Sequence, residues 1–166
     1  MRVYRNKASA DTRQGKKMVN LELRLPPPLI FLLCAGTMWC LRGEGQPGVW
    51  VMVLMAALFV AGAIMGFGAL QRFRHHQTTV SPTKPQHTSH LVTCGVYRLS
   101  RNPMYLGLLC WLLAWGCYLG GVWVWLGPIM LVVWLTRFQI MPEERLLRAR
   151  FGDEYARYCL RVRRWC

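Results

Sequence analysis

Apolar residues along the chain gather into four long blocks, at 25–41, 49–70, 104–119 and 122–140, with polar segments between them. Crossing a hydrocarbon layer of about 30 Å takes roughly 20 apolar residues at 1.5 Å each. The second block carries no charge and is long enough; the first is near the lower limit. The pattern predicts an all-α integral membrane protein of about four transmembrane helices. Its last two spans form a C-terminal hairpin, and the polar tail at 142–166 follows as a cytoplasmic amphipathic helix.

Local residues support the boundaries. Pro26, Pro27 and Pro28 suit a helix start, where a missing N–H would have no partner anyway. A cleaved signal peptide is the competing reading of this block, but 24 residues precede it and no A-x-A pattern follows. Nor does the FLLC string ending at Cys34 carry the small residues of a lipoprotein cleavage site. Three glycines and Pro47 make 42–48 a tight external turn. Gly62, Gly66 and Ala69 fall on one face of the second helix and suit close helix packing. Residues 71–89 are polar and extended around Pro82 and Pro85. His75 and His76 are adjacent and diverge on a helix, so they make no metal pair. Only Gly120 and Gly121 separate the third and fourth blocks, which forces an antiparallel hairpin. Gly127 and Pro128 are expected to kink the fourth helix; a kink can open a lateral cavity, though most are packed over. In the tail, Leu146, Leu147, Phe151, Tyr155 and Tyr158 recur at helical steps, with a break at Gly152. Three parts follow: a basic arm at 1–24, two N-terminal helices within 25–70, and a unit at 71–166 that holds the chemistry.

Charge fixes the orientation. The formal charge of +14 would suggest nucleic acid in a soluble protein, but 54% of residues are hydrophobic. Seven Lys and Arg precede the first block, five lie between Arg72 and Arg101, and eight follow from Arg137; Arg42 alone lies elsewhere. By the positive-inside rule both termini and the central loop face the cytoplasm, as in a bacterial inner membrane. Nucleic acid is excluded as a partner, and membrane lipids take its place, with anionic headgroups near the basic arm. The seven cysteines form no CxxC and no zinc-type spacing, so no metal site is expected. The ending RRWC is no prenylation box.

Topology then brings two polar segments to one side of the membrane: the loop from His90 to Asn102, and the acidic pair Glu143 and Glu144. Pro103 starts a helix whose first N–H groups favour an anion, and Arg101 adds a charge able to hold a carboxylate. Glu143 and Glu144 supply the opposite sign. A cationic wall facing an anionic wall suits a zwitterionic ligand. The same residues also fit a plain structural reading, with arginine anchored to headgroups and glutamates stabilising a first helical turn by about 0.3 to 1 kcal/mol.

The string LVTCGVYRLSRNPMYLG and the later PEERLLRARFGDEYARYCLRVRRW resemble the isoprenylcysteine carboxyl methyltransferases and the related membrane phospholipid methyltransferases. Their pattern joins an LVTxGxYxxxRHPxYxG block to an EExxLxxxFGxxYxxYxxxV block across a helical hairpin. The resemblance implies a methyltransferase that binds S-adenosylmethionine at the cytoplasmic face. It implies that His90, Leu91, Val92, Gly95 and Tyr97 line the adenosine, that Arg101, Asn102, Pro103 and Tyr105 hold its polar parts, and that Glu143 and Glu144 meet its ammonium or ribose. Arg137 and Glu144 are the candidates for acting at the reacting centre. Asn102 stands where the family often has histidine. Gln139 stands where the isoprenylcysteine enzymes tend to have a basic residue, so the acceptor need not be a prenylated cysteine. It is expected to be a lipidic or small apolar molecule entering from the bilayer and methylated on carboxylate, thiol or amine. Two other readings remain open: a sterol-reductase-like enzyme using NADPH, and a non-catalytic membrane protein that keeps the motif shell.

Overall fold

In the computed structural model of the chain, residues 25–44, 47–75 and 93–166 are described. The basic arm and most of the central loop, including His76, Pro82, Pro85, His90, Leu91 and Val92, lie outside the described residues. Every regular element among those described is helical. They are α1 (Pro27–Cys40), α2 (Val49–His75), α3 (Pro103–Leu119), α4 (Leu126–Leu135) and α5 (Met141–Arg161). A short 3-10 turn precedes α3 at Gly95–Arg98 and another precedes α4 at Trp123–Trp125.

The four apolar helices run alternately up and down. Gly43 N–H bonds to Gly120 O at 3.4 Å, so the turn after α1 and the turn between α3 and α4 lie side by side at one end. At the other end Gln139 Nε2 donates to Leu25 O at 2.7 Å, which joins the start of α1 to the end of the fourth helix. Met38, Leu112, Val124, Leu131, Leu135 and Ile140 are fully buried between the helices. The outward side of α2 is apolar and exposed at Val53, Phe59, Val60, Ile64 and Phe67. A soluble fold would hide such a surface; a bilayer covers it.

Two helical runs are long and apolar enough to cross a membrane: Val49–Gln71, and the run Trp123–Arg161, which is interrupted at Gly152. In the second run, the apolar part is the block ending at Ile140. Helices α1 and α3 are apolar but have 14 and 17 residues, giving lengths of about 21 Å and 26 Å. Length thus identifies two spans, while the packing pattern contains four apolar helices.

Helix α3 packs most extensively on α2, and small residues are the reason. A Cβ built on Gly107 would sit 2.9 Å from Gly62 O and 3.3 Å from Gly66 N, so the two backbones touch. One on Gly62 would strike the Trp111 ring at 2.5 Å. Trp111 crosses the seam, donates from Nε1 to Phe59 O at 3.1 Å and stacks on the Phe59 ring. Ala69 farther along α2 is fully buried. Of the expected small-residue face, Gly62 lies directly against α3 and Gly66 N lies beside Gly107, whereas a Cβ on Gly66 would meet nothing within 4 Å.

The expected kink at Pro128 does not form. Pro128 is the third residue of α4, directly after the 3-10 turn, where the first N–H groups have no α-helical partner to lose. Gly127 beside it makes room for Met38 of α1. The irregularity lies instead at Thr136–Ile140, a π-turn between α4 and α5. Its wider i→i+5 bonding accommodates Pro142, which would otherwise break the ladder. Glu143 and Glu144 therefore do not start a free helix. Ile140 before them is helical, so the first-turn stabilisation described for them has no free N–H groups to act on. The helix is interrupted later, at Gly152, whose φ of 48° and ψ of −119° favour glycine.

Substitution at the seam tests the packing. Gly107→Ala should destabilise the protein by about 1 to 3 kcal/mol. Gly36→Ala, with nothing within 4 Å of the added Cβ, should be neutral or stabilising. Thermal unfolding of both variants in detergent checks the contrast.

Candidate functional site

Residues from both motif blocks and from the chain's end meet at the helix ends remote from the two short turns. Adjacent helical side chains diverge by about 100°, so Glu143 and Glu144 reach different partners. Glu143 Oε1 accepts from Tyr105 Oη at 2.8 Å, linking α5 to α3. Glu144 faces two arginines. Arg164 grips it as a fork, with Nε 3.0 Å from Oε1 and Nη2 2.6 Å from Oε2. Arg101 reaches the same Oε1 end-on through Nη1 at 3.2 Å, and Nη1 also donates to Cys159 Sγ.

The loop before α3 is held by the chain's end. Val162 is extended after α5, and the segment beyond it lies along residues 100–102. Arg101 N–H bonds to Arg163 O at 3.1 Å. Arg164 O accepts from Asn102 Nδ2 at 2.9 Å and from Ser100 Oγ at 3.3 Å. Trp165 Nε1 donates to Thr136 Oγ1 at 3.2 Å, which fixes the segment to the π-turn. Asn102 is the residue before the first turn of α3, yet its side chain makes no cap bond there. Tyr158 Oη donates to Tyr97 O at 2.7 Å, which holds the 3-10 turn that begins at Gly95 on α5.

Electrostatics single out Glu143. Loss of solvation on burial, opposed by the Tyr105 hydrogen bond, raises its carboxyl from 4.5 to about 7. Two polar atoms are buried without partners among the described residues: Arg101 Nε and Gln139 Oε1. A buried donor on a cation is costly unless something accepts from it.

The structure thus brings together Tyr97, Arg101, Asn102, Pro103, Tyr105, Glu143 and Glu144, with Gly95 opening the turn that carries Tyr97. Arg137 differs: it is exposed on the π-turn, its guanidinium 5.8 Å from the Phe138 ring centre. The two expected walls are in direct contact, since Arg101 and Glu144 form an ion pair. The residues that sequence reasoning left out are Ser100, Cys159, Arg164 and Trp165. The complete burial of Ser100 follows only from the returning chain end, and Arg164 looked like one more arginine of a basic tail.

The phospholipid methyltransferase family profile matches residues 50–154, which run from α2 through both partners of the Tyr105–Glu143 bond. The chain belongs to the phospholipid methyltransferase family. An uncharacterized protein of Haemophilus influenzae (strain Rd) is 52% identical over 62 residues, which are 37% of this chain and 98% of that protein. No solved structure matches the chain. Membership places this phospholipid methyltransferase homologue among membrane methyltransferases and lends nothing to the reductase alternative.

Glu143 sets a pH dependence. Its folded value lies above its unfolded one, so the stability tied to its neutral form is complete below about 4.5 and is lost as pH rises through about 7. The difference corresponds to on the order of 3 kcal/mol. Glu143→Gln keeps an acceptor for Tyr105 and cannot ionise. Its melting temperature should match wild type at pH 5 and exceed it at pH 8.5.

Proposed function

We propose that the protein is an integral membrane methyltransferase that moves a methyl group from S-adenosylmethionine to a lipidic or small apolar acceptor. The observation that carries this reading is the union of the two motif blocks through Tyr105–Glu143 and Arg101–Glu144. The residues fit such a donor on two counts. Arg101 Nε is a buried donor on a cation, suited to a carboxylate, and Glu143 is an enclosed carboxyl, suited to a positive centre.

In this reading Arg101 holds the methionyl carboxylate, Glu143 with Tyr105 faces the cationic part, and the segment from His90 to Tyr97 lies against the adenosine. When bound, S-adenosylmethionine supplies an electrophilic methyl on a sulfonium. The chain's contribution is to align the reactants and exclude water. A nearby positive charge favours the ionised form of Glu143, so donor affinity rises with pH through about 7. An acceptor enters from the bilayer along the exposed apolar face of α4, at Ile129, Met130 and Val133. In this reading the chain crosses a bacterial inner membrane four times with both termini in the cytoplasm, and the site lies at the cytoplasmic face.

The test is transfer of labelled methyl from S-adenosylmethionine by the purified chain in nanodiscs, supplied with a total lipid and thiol extract. A labelled apolar product is expected, and Arg101→Ala should lower donor affinity at least tenfold. Absence of donor binding, or binding of NADPH instead, would overturn the reading.

A further inference from the structure

We infer that Arg164, in the chain's last extended segment, is a positioning residue that keeps Arg101 available to an anionic ligand group by occupying Glu144. The inference rests on the methyl-donor reading above and assigns a role beyond Val162, where the second motif pattern ends, and outside the matched residues 50–154.

Glu144 has one planar carboxylate, and an arginine engages such a group most strongly through two parallel N–H bonds. That two-bond place is taken by Arg164, through Nε and Nη2. Arg101 has only a single-nitrogen contact with Oε1, so its Nε is buried without an acceptor among the described residues. The arrangement is unequal although both cations are close enough to compete. Arg101 is also the more enclosed of the two, with 13% of its side chain exposed against 37% for Arg164. Burial alone would favour giving the better contact to Arg101. The structure gives it to Arg164.

What holds Arg164 there does not depend on Glu144. Its carbonyl accepts from Asn102 and Ser100, the carbonyl before it accepts from the Arg101 main chain, and Trp165 after it is bonded to Thr136. The guanidinium is therefore delivered to the carboxylate by the course of the chain. Without it, Glu144 is free to take Arg101 through two bonds and to consume the Nε that a ligand would use. Two arginines on one carboxylate also leave the triad with a net positive charge, which favours an anion at Arg101. The ligand class is a carboxylate, specifically that of the methyl donor.

The measurement is a ratio of affinities, which simple loss of structure does not change. S-adenosylmethionine and its decarboxylated analogue are titrated into the full-length chain in nanodiscs, for wild type, Arg164→Gln and Arg164→Lys. The lysine variant keeps the charge without the fork, and it carries the test if the glutamine variant fails to fold. Wild type is expected to prefer the carboxylate-bearing ligand at least tenfold. Both variants should bind the two ligands equally, at the affinity wild type shows for the analogue. Variants that keep the preference, or that lose both ligands in proportion, overturn the role of Arg164 while leaving the methyl-donor reading intact. Equal binding of the two ligands by wild type overturns it as well. A wild-type chain that binds neither ligand sinks the methyl-donor reading, and this inference with it.

Discussion

A carboxylate with only 15% of its side chain exposed must be matched by positive charge and hydrogen bonds, or ionising it costs several kcal/mol. Glu144 meets that demand with two arginines drawn from opposite sides, one at the start of α3 and one beyond the end of α5. The loop before α3, the helical run that ends the membrane block and the last residues of the chain therefore depend on one another. Asn102, Ser100 and the Arg101 main chain then have acceptors at hand in the returning segment, and Trp165 ties that segment to Thr136. The demand of one buried charge organises the polar end of the molecule.

The apolar end depends on a different constraint. Between α2 and α3 the backbones meet at Gly62, Gly66 and Gly107, and hydrocarbon offers no hydrophobic drive to bring helices together. Contact must come from shape, with a missing Cβ on each side and the Trp111 ring laid across the groove. This seam fixes where the first turn of α3 stands relative to α2, and so where Arg101 and Tyr105 stand. The π-turn plays the matching part on the other helix. By absorbing Pro142 it lets α4 continue without a break into α5, and that continuity directs Glu143 toward Tyr105 and Glu144 toward the arginines.

Much of this is legible in the sequence. The apolar blocks, the turn at Gly120 and Gly121, the small-residue face of α2 and the break at Gly152 each rest on a local property of the chain, and each reappears in the fold. The convergence of Arg101 with the acidic pair followed from counting spans. The expected kink at Pro128 failed because a proline matters by its place in a helix, and the helix begins only two residues earlier. The expected free helix start at Pro142 failed for a related reason: a π-turn hides a proline that sequence patterns treat as punctuation.

Sequence by itself determined the class of the protein, because hydrophobic length and the distribution of charge are sums over neighbouring residues, and the paired blocks determined the family. Tertiary structure alone decided how the site is wired. Whether Glu144 faces a ligand or an arginine, and which arginine takes the two-bond contact, depends on where the chain goes after Gly152. Nothing in the local order of those residues marks Arg164 off from the six other arginines of the tail. Only folding the segment back against residues 100–102 gives it a carboxylate, since that contact joins residues distant in sequence and is set by the packing of every element between them.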